Sequence, residues 1–293
     1  STLEYGAIVS DSGVNFRLWA PTAQSVKVVI YNANKEAVST NDMTFDSASG
    51  SWSYAGAADL KGMYYRYQMT VYHPLTRKLE SYEVTDPYSL SLSMNSEYSQ
   101  VVDLNDADLK PEGWDTLKAP HVQTTPADVA KTVVYESHVR DLTAFDTEVP
   151  AAERGKYVAL TEENSLAVKH LKELSAAGVT HLQILPAFDI ATINEDPAKV
   201  ANLDDKFSKL CDVNTNVANS DKFKANCAGD STVAEVMATL DKDGEDRQEL
   251  NRMVADTDSF NWGYDPFHYT TPEGSYSTNP DGTARILEFR KMV

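Results

Sequence analysis

The amino-acid sequence predicts a multidomain chain, in which an all-β sandwich is followed by the start of a parallel (β/α)8 barrel. Three observations predict it. Short segments in which apolar and polar residues alternate fill residues 1–104, a linker rich in turn residues covers 105–130, and a strand–helix–strand pattern opens residues 131–293. The length of 293 residues is sufficient for two domains of ordinary size.

In the first domain, apolar and polar residues alternate through residues 14–20, 26–31 and 64–71, and glycine-containing turns separate these segments. Short strands at this spacing predict a β-sandwich. The predicted core residues are Phe16, Leu18, Trp19, Val28, Ile30, Trp52, Tyr65 and Tyr67. A sugar-binding surface on this domain and a purely supporting role are both open, and the candidates for such a surface are Tyr31, Trp52, Tyr54 and Tyr72.

The second domain begins with a continuous, mainly apolar run at residues 132–136, which is typical of a strand covered on both faces. A helix over 164–174 and a second apolar strand over 179–185 follow, so this part has the pattern of one parallel β/α repeat. A long acidic insertion occupies residues 187–259. Only about two of the eight strands of a closed barrel are present, so we expect the others in missing sequence or in a second chain.

The net charge of −18, from 26 basic and 44 acidic side chains, disfavours nucleic acid as a partner because phosphate binding needs clustered Lys and Arg. The acidity suits a neutral ligand and provides carboxylates for a hard cation. Residues 212–216 resemble the start of a calcium loop, but Val217 stands where the glycine of an EF-hand is expected and no acid completes the loop. In residues 241–246 the glycine comes too early, so the metal ligands stay unassigned. No apolar run is long enough for a membrane-spanning segment, and no signal peptide is visible.

Cys211 and Cys227 are the only cysteines, and they bracket a polar stretch within the insertion. An isolated pair at this separation predicts a disulfide that closes a short loop, as is typical of exported proteins. Two unrelated buried thiols are the alternative. A zinc site is disfavoured, because no histidine lies nearby in ligand spacing.

Residues 260–269, hereafter the aromatic loop, hold five aromatic rings and a histidine and fit neither a helical nor a strand period. Tyr and Trp present flat faces with few rotatable bonds, so such a loop is suited to stacking on a sugar ring. The alternative is a loop that its own aromatic residues clamp onto the domain.

Several separated motifs resemble those of α-glucan debranching enzymes. Residues 15–23, 62–67 and 84–88 look like the immunoglobulin-like, starch- and glycogen-associated sandwich that precedes the barrel in these enzymes. Residues 135–142 and 178–186 resemble the first two strands of their barrel. For the polar residues of the first of these motifs we predict a structural role in fixing loops rather than a role in chemistry. These residues are Glu136, His138, Arg140 and Asp141.

The sequence Asn-Trp-Gly-Tyr-Asp-Pro at residues 261–266 resembles the signature of bacterial type I pullulanases, which hydrolyse α-1,6 branch linkages in pullulan, starch and glycogen with retention. The resemblance implies that Tyr264 stacks beneath the glucose at the cleavage site. It makes the other candidate substrate-binding residues Trp262, Asn261, Asp265 and His268.

In that family the Asp nucleophile and the Glu acid lie on later strands, which would follow Val293. No catalytic residue is therefore assigned within this chain, and the isolated chain is predicted to be inactive. The resemblance also implies calcium as a cofactor, an α-glucan as the partner, and secretion or a bacterial cell-surface location. A stand-alone α-glucan-binding module and a scaffold without activity are the alternative functions.

Overall fold

The computed structural model describes residues 3–122 and 124–293. The chain forms two compact units, of which the first comprises Ser1–Ala191 together with Gly263–Val293 and the second comprises Thr192–Trp262. Each unit has a hydrophobic core of its own.

Two antiparallel sheets form the beginning of the first unit, hereafter the sandwich module. Their strands are β1 (Gly6–Ser10), β2 (Gly13–Trp19), β3 (Ser25–Tyr31), β4 (Ala37–Asp42), β5 (Thr44–Asp46), β6 (Ser51–Gly56), β7 (Tyr64–His73), β8 (Lys78–Val84) and β9 (Ser99–Gln100). One sheet has the order β1-β2-β6-β5, the other has the order β4-β3-β7-β8, and β9 pairs with β7. The predicted β-sandwich is confirmed.

The core of the sandwich module consists of the alternate residues of its central strands. All but one of the predicted core residues are buried there: Phe16, Leu18, Val28, Ile30, Trp52, Tyr65 and Tyr67. The prediction for Trp19 was wrong, because its side chain is 58% exposed. Successive side chains of a strand point to opposite faces, so a strand that buries Leu18 turns Trp19 outward.

The remaining aromatic candidates of the module divide between the interior and the surface. Tyr31 and Trp52 are buried, and the indole nitrogen of Trp52 donates to the carbonyl oxygen of Ala20 at 3.0 Å. Tyr54 is half-buried, whereas Tyr72 is exposed. Of the four, only Tyr72 therefore presents a largely open ring to solvent.

The middle of the first unit contains a parallel strand pair. Its elements are α1 (Pro126–Val129), β10 (Val134–Ser137), α2 (Val139–Thr143), α3 (Leu166–Ala176), β11 (His181–Ile184) and β12 (Phe188–Ile190). β10 and β11 are parallel, with Val134 opposite His181, and Ser165 caps α3 by accepting from the backbone nitrogen of Val168. The strand–helix–strand pattern is therefore present, and across the described residues it forms a two-stranded sheet rather than a closed barrel.

The predicted double coverage of these two strands is not seen, since Val134 and Leu182 are exposed. The pair has no further strand beside it within the part of the chain that the structure describes. Parallel sheets are normally buried on both faces, and this two-stranded pair lacks that cover, so apolar side chains are exposed.

The second unit is helical and contains α4 (Phe207–Val213), α5 (Thr215–Asn219), α6 (Val233–Thr239) and α7 (Glu245–Ala255). Its core is built from Phe207, Leu210, Val217, Phe223, Val233 and Leu250. Thr232 and Glu235 form a capping box at the start of α6. A disulfide joins Cys211 of α4 to Cys227, so the predicted bridge is confirmed.

After the second unit the chain returns to the first unit with β13 (Pro266–Pro272) and α8 (Ala284–Met292). β13 pairs antiparallel with β12. Ile286 of α8 packs with Leu109, and the guanidinium of Arg290 donates to the carbonyl oxygen of Leu104 at 2.9 Å. None of the helices in the described ranges is long and apolar enough to cross a membrane.

Candidate functional site

Exposed aromatic side chains mark the second half of the aromatic loop. Tyr264 is 66% exposed, and Phe267 and Tyr269 are exposed as well. Trp262, at the end of the second unit, is also exposed, whereas Asn261 beside it is buried. Two of the predicted substrate-binding residues therefore present an aromatic face to solvent.

The bend before Tyr264 is fixed by a close backbone approach. Gly263 has φ of +77°, and a Cβ atom placed on it would lie 2.5 Å from the carbonyl oxygen of Pro186. Only glycine combines this backbone conformation with this lack of space. Pro186 lies just beyond β11, at the carboxyl end of the parallel pair, so Tyr264 emerges at that edge of the sheet.

The loop is also held on the far side of Tyr264. The carbonyl oxygen of Asp265 accepts from the backbone nitrogen of Ala191 at 2.9 Å, and Pro266 then stands opposite Ile190 at the start of β13. The backbone on each side of Tyr264 therefore has a fixed neighbour. The side chain of Asp265 is exposed.

His268 has a different environment from the exposed rings, because it is only 3% exposed. Its Nδ1 lies 2.7 Å from Oδ2 of Asp189, and its Nε2 lies 2.9 Å from Oγ1 of Thr85 in the sandwich module. The structure thus places this predicted substrate-binding residue in the interior, with both ring nitrogens hydrogen-bonded. A direct contact between His268 and sugar stays a prediction.

A second buried polar cluster adjoins this histidine. Asp86 accepts from the hydroxyls of Tyr65 and Tyr67, each at 2.9 Å, and from the backbone nitrogen of Tyr88 at 2.8 Å. Burial raises the pKa of Asp86, while these hydrogen bonds and the nearby His268 act in the opposite direction. Burial and the neighbouring Asp86 also raise the pKa of both tyrosines well above the ordinary value.

Two fully buried acids, Asp189 and Glu273, have carboxylate oxygens within 4.8 Å of each other and belong to a group able to hold a metal ion. Glu273 accepts from the backbone nitrogen of Ile190 at 2.7 Å. Arg285, also fully buried, lies 3.5 Å from Asp189 and offsets part of this negative charge. Carboxylate oxygens are the ligands that hard cations such as Ca²⁺ prefer.

The polar residues after β10 have structural partners. Nδ1 of His138 accepts from the backbone nitrogen of Arg140 at 3.1 Å and caps α2, while its Nε2 lies 3.0 Å from the hydroxyl of Tyr276. Arg140 and Asp141 form an ion pair at 3.1 Å. These contacts agree with the predicted role in fixing loops.

Sequence reasoning did not identify Thr85, Asp86, Asp189, Glu273 or Arg285. One signal was available, because Asp189 is a single acid between Phe188 and Ile190 in an apolar stretch. A carboxylate that is buried in an apolar stretch needs hydrogen-bonding or ion-pair partners. No spacing rule indicates which distant residues those partners are.

Two parts of the chain match known domain families. Residues 4–89 match carbohydrate-binding module 48, described as the isoamylase N-terminal domain, and residues 190–260 match the pullulanase Ins domain. The first match covers the sandwich module up to the segment after β8, and the second covers the helical unit.

Over its whole length the chain is similar to pullulanases. It is 61% identical over 295 residues to the pullulanase of Klebsiella aerogenes, covering 99% of this chain and 27% of that protein. It is 38% identical over 290 residues to the chloroplastic pullulanase 1 of Arabidopsis thaliana, covering 98% of this chain and 27% of that protein. The crystal structure of Klebsiella pneumoniae pullulanase complexed with maltotriose superposes with a TM-score of 0.96 at 60% identity, covering 100% of this chain and 28% of that one.

The resemblance that the motifs indicated is therefore confirmed. The chain spans about a quarter of the length of these relatives, since it covers 27% of the two curated proteins.

Proposed function

We propose that the chain, which matches a segment of bacterial pullulanase over its whole length, belongs to an α-1,6-glucan debranching glycoside hydrolase and forms one wall of its substrate cleft. The observation that carries the proposal is the exposed ring of Tyr264, held by the bend at Gly263 against Pro186. This position is at the carboxyl edge of a parallel strand pair, the edge at which β/α barrels build active sites.

In this proposal β10, α3 and β11 are the first repeat of a (β/α)8 barrel. Tyr264 stacks on the glucose at the branch point, and Asp265 follows it in the same wall. Trp262 and Asn261 stay predicted substrate-binding residues. An aromatic ring on a fixed backbone loses little conformational freedom when it stacks, so it is suited to a flat sugar face. The substrates are pullulan, starch and glycogen, and the relative complexed with maltotriose supports an α-glucan ligand.

The reaction proceeds with retention in this proposal. Retaining enzymes use a nucleophile and an acid whose carboxyl groups lie about 5 Å apart. We assign neither of these carboxyl groups to a residue of this chain.

Calcium is the proposed cofactor, and Asp189 and Glu273 are two of its proposed ligands. Their buried carboxylates lie close together and provide the oxygen donors that this ion needs. A secreted or cell-surface location is proposed as well, and the disulfide of the helical unit supports it, because such bonds persist in oxidising compartments.

A second candidate function is α-glucan binding by the sandwich module alone. It is favoured by the match of residues 4–89 to a carbohydrate-binding module and by the exposed rings of Trp19 and Tyr72. A scaffold without a sugar site is the third candidate.

The test is a pair of substitutions in the complete enzyme, Tyr264→Ala and Tyr72→Ala, which remove comparably exposed rings. We expect Tyr264→Ala to lower kcat/KM on pullulan about tenfold or more and Tyr72→Ala to leave it unchanged, at equal thermal stability. Unchanged kinetics for Tyr264→Ala would remove the aromatic loop from the site. Loss of glucan binding in Tyr72→Ala alone would favour the second candidate.

A further inference from the structure

We infer that the sandwich module positions the aromatic loop for substrate binding through the hydrogen-bonded series Thr85–His268–Asp189, hereafter the anchor. The module then contributes to substrate binding without touching sugar. The inference rests on the proposed function in one respect, because it takes Tyr264 as the sugar-stacking residue.

The anchor joins side chains from distant parts of the chain. Thr85 follows β8 in the sandwich module, whereas Asp189 and His268 lie on the paired strands β12 and β13. Because a carboxylate only accepts hydrogen bonds, His268 donates through Nδ1 to Asp189 over 2.7 Å. In the neutral ring Nε2 is then an acceptor, and Thr85 donates to it over 2.9 Å.

The module holds both ends of this series. Ser96, which precedes β9, donates to the other oxygen of Asp189 over 2.6 Å. Ser96, Asp189 and His268 are all buried, so the loss of one partner would leave a polar atom without solvent to replace it. A fully satisfied buried polar network specifies one arrangement more strictly than apolar contact does.

Two further contacts tie β13 to the module. The carbonyl oxygen of Ser89 accepts from the hydroxyls of Thr270 and Thr271, each over 2.6 Å. β13 is therefore attached to the sandwich module at residues 268, 270 and 271. The position of β13 therefore depends on the sandwich module as well as on its partner strand β12.

The position of β13 in turn determines where Tyr264 stands. His268 lies opposite Asp189, and Pro266 lies opposite Ile190, so the strand begins two residues after Tyr264. On the other side of Tyr264, the close fit against Pro186 prevents Gly263 from moving to compensate. A shift of His268 must therefore be taken up largely at residues 264 and 265.

The experiment compares Thr85→Val with Thr85→Ser in the complete enzyme. Valine keeps the shape of threonine but removes the hydroxyl that serves Nε2 of His268, whereas serine keeps the hydroxyl. We expect Thr85→Val to raise KM for pullulan about fivefold with kcat changed less than about twofold, because a misplaced stacking residue weakens binding. Thr85→Ser should restore the original KM.

Thr70→Val is the matched control, because Thr70 forms a hydrogen bond with Ser81 at 3.0 Å on the exposed surface of the same module. It loses the same kind of bond without involving the anchor, so its KM should stay unchanged. Should Thr85→Val fail to fold, Ser96→Ala removes the donor to Asp189 and takes its place in the comparison.

The outcomes separate the inference from the proposed function. An unchanged KM in the anchor variant, with Tyr264→Ala impaired, would overturn the anchor alone. Equal increases of KM in Thr85→Val and Thr70→Val would also overturn the anchor, since reduced stability of the module would then explain both increases. Unimpaired Tyr264→Ala would instead reject the proposed function.

Discussion

Gly263 approaches Pro186 so closely that a Cβ atom on Gly263 would lie 2.5 Å from the carbonyl oxygen of Pro186. Backbone atoms cannot give way as the end of a flexible side chain can, and φ at Gly263 is +77°. The first prediction is that Gly263→Ala destabilises the chain by about 2–4 kcal/mol, because left-handed strain and a backbone clash add. Urea denaturation measures this difference.

Gly113→Ala is the control for strain alone. Gly113 has φ of +82°, and nothing lies within 4 Å of a Cβ atom built on it. Its substitution should cost about 1 kcal/mol, the strain without the clash. Equal losses of unfolding free energy in Gly263→Ala and Gly113→Ala would show that the contact with Pro186 does not restrict the loop.

The second prediction concerns the pH dependence of stability at Asp86, whose pKa is raised from its ordinary value of 3.8 mainly by burial. A carboxyl group with a raised pKa in the folded state contributes fully below its unfolded pKa and loses that contribution as pH rises through its folded pKa. Asp86→Asn does not titrate, so the stability of wild type relative to this variant should fall as pH rises above 3.8. Urea denaturation across this range measures it.

Asp46→Asn should show the opposite sign. Hydrogen bonds from Ser49 and the backbone of Ala48 lower the pKa of Asp46, so its contribution is present above the unfolded pKa and disappears as pH falls. If the stability of wild type relative to each variant changed with pH in the same direction for Asp86→Asn and Asp46→Asn, the opposite pKa shifts of these two carboxyl groups would be contradicted.

The third prediction is that loss of the Cys211–Cys227 bridge destabilises the helical unit selectively. The two residues are 16 apart in sequence, and a loop of this size predicts a loss of about 3 kcal/mol. Hydrogen exchange of Cys211→Ala/Cys227→Ala should increase in α4 to α7 and stay unchanged in β2, β3 and β7, because each unit has its own core.

Reduction of the wild-type chain, followed by alkylation, should reproduce that pattern, and reoxidation without alkylation should reverse it. Increased exchange in the sandwich strands would show that the bridge stabilises more than the unit that contains it.

The sequence predicted the parts of the fold that depend on local pattern. Alternation through Phe16 and Leu18 was sufficient for the sandwich, because strand period is a local property. Trp19 was misassigned for a related reason: hydrophobicity suggested burial, but the period of β2 decided the face. The disulfide needed only the count and the separation of the two cysteines.

The interior of the candidate site could not be predicted in this way. Thr85 and His268 are 183 residues apart, and no local rule pairs a hydroxyl with a ring nitrogen over that distance. His268 belongs by sequence to an aromatic stretch, yet its strand position turns it toward Asp189 while Tyr269 faces solvent. The composition of the loop was therefore informative, and the division of its side chains required the structure.

The fourth prediction concerns calcium. An ion that binds only the folded state stabilises it by about 2.7 kcal/mol at a concentration one hundred times Kd, so added Ca²⁺ should raise Tm and EGTA should lower it. Glu273→Gln keeps an oxygen for the backbone nitrogen of Ile190 but removes the negative charge that a divalent ion needs. The calcium-dependent shift in Tm should therefore disappear in this variant and persist in Glu249→Gln, which changes a half-buried acid that pairs with Lys222. A Tm that ignores both Ca²⁺ and EGTA, or a shift retained in Glu273→Gln, would exclude the buried carboxylates as a calcium site.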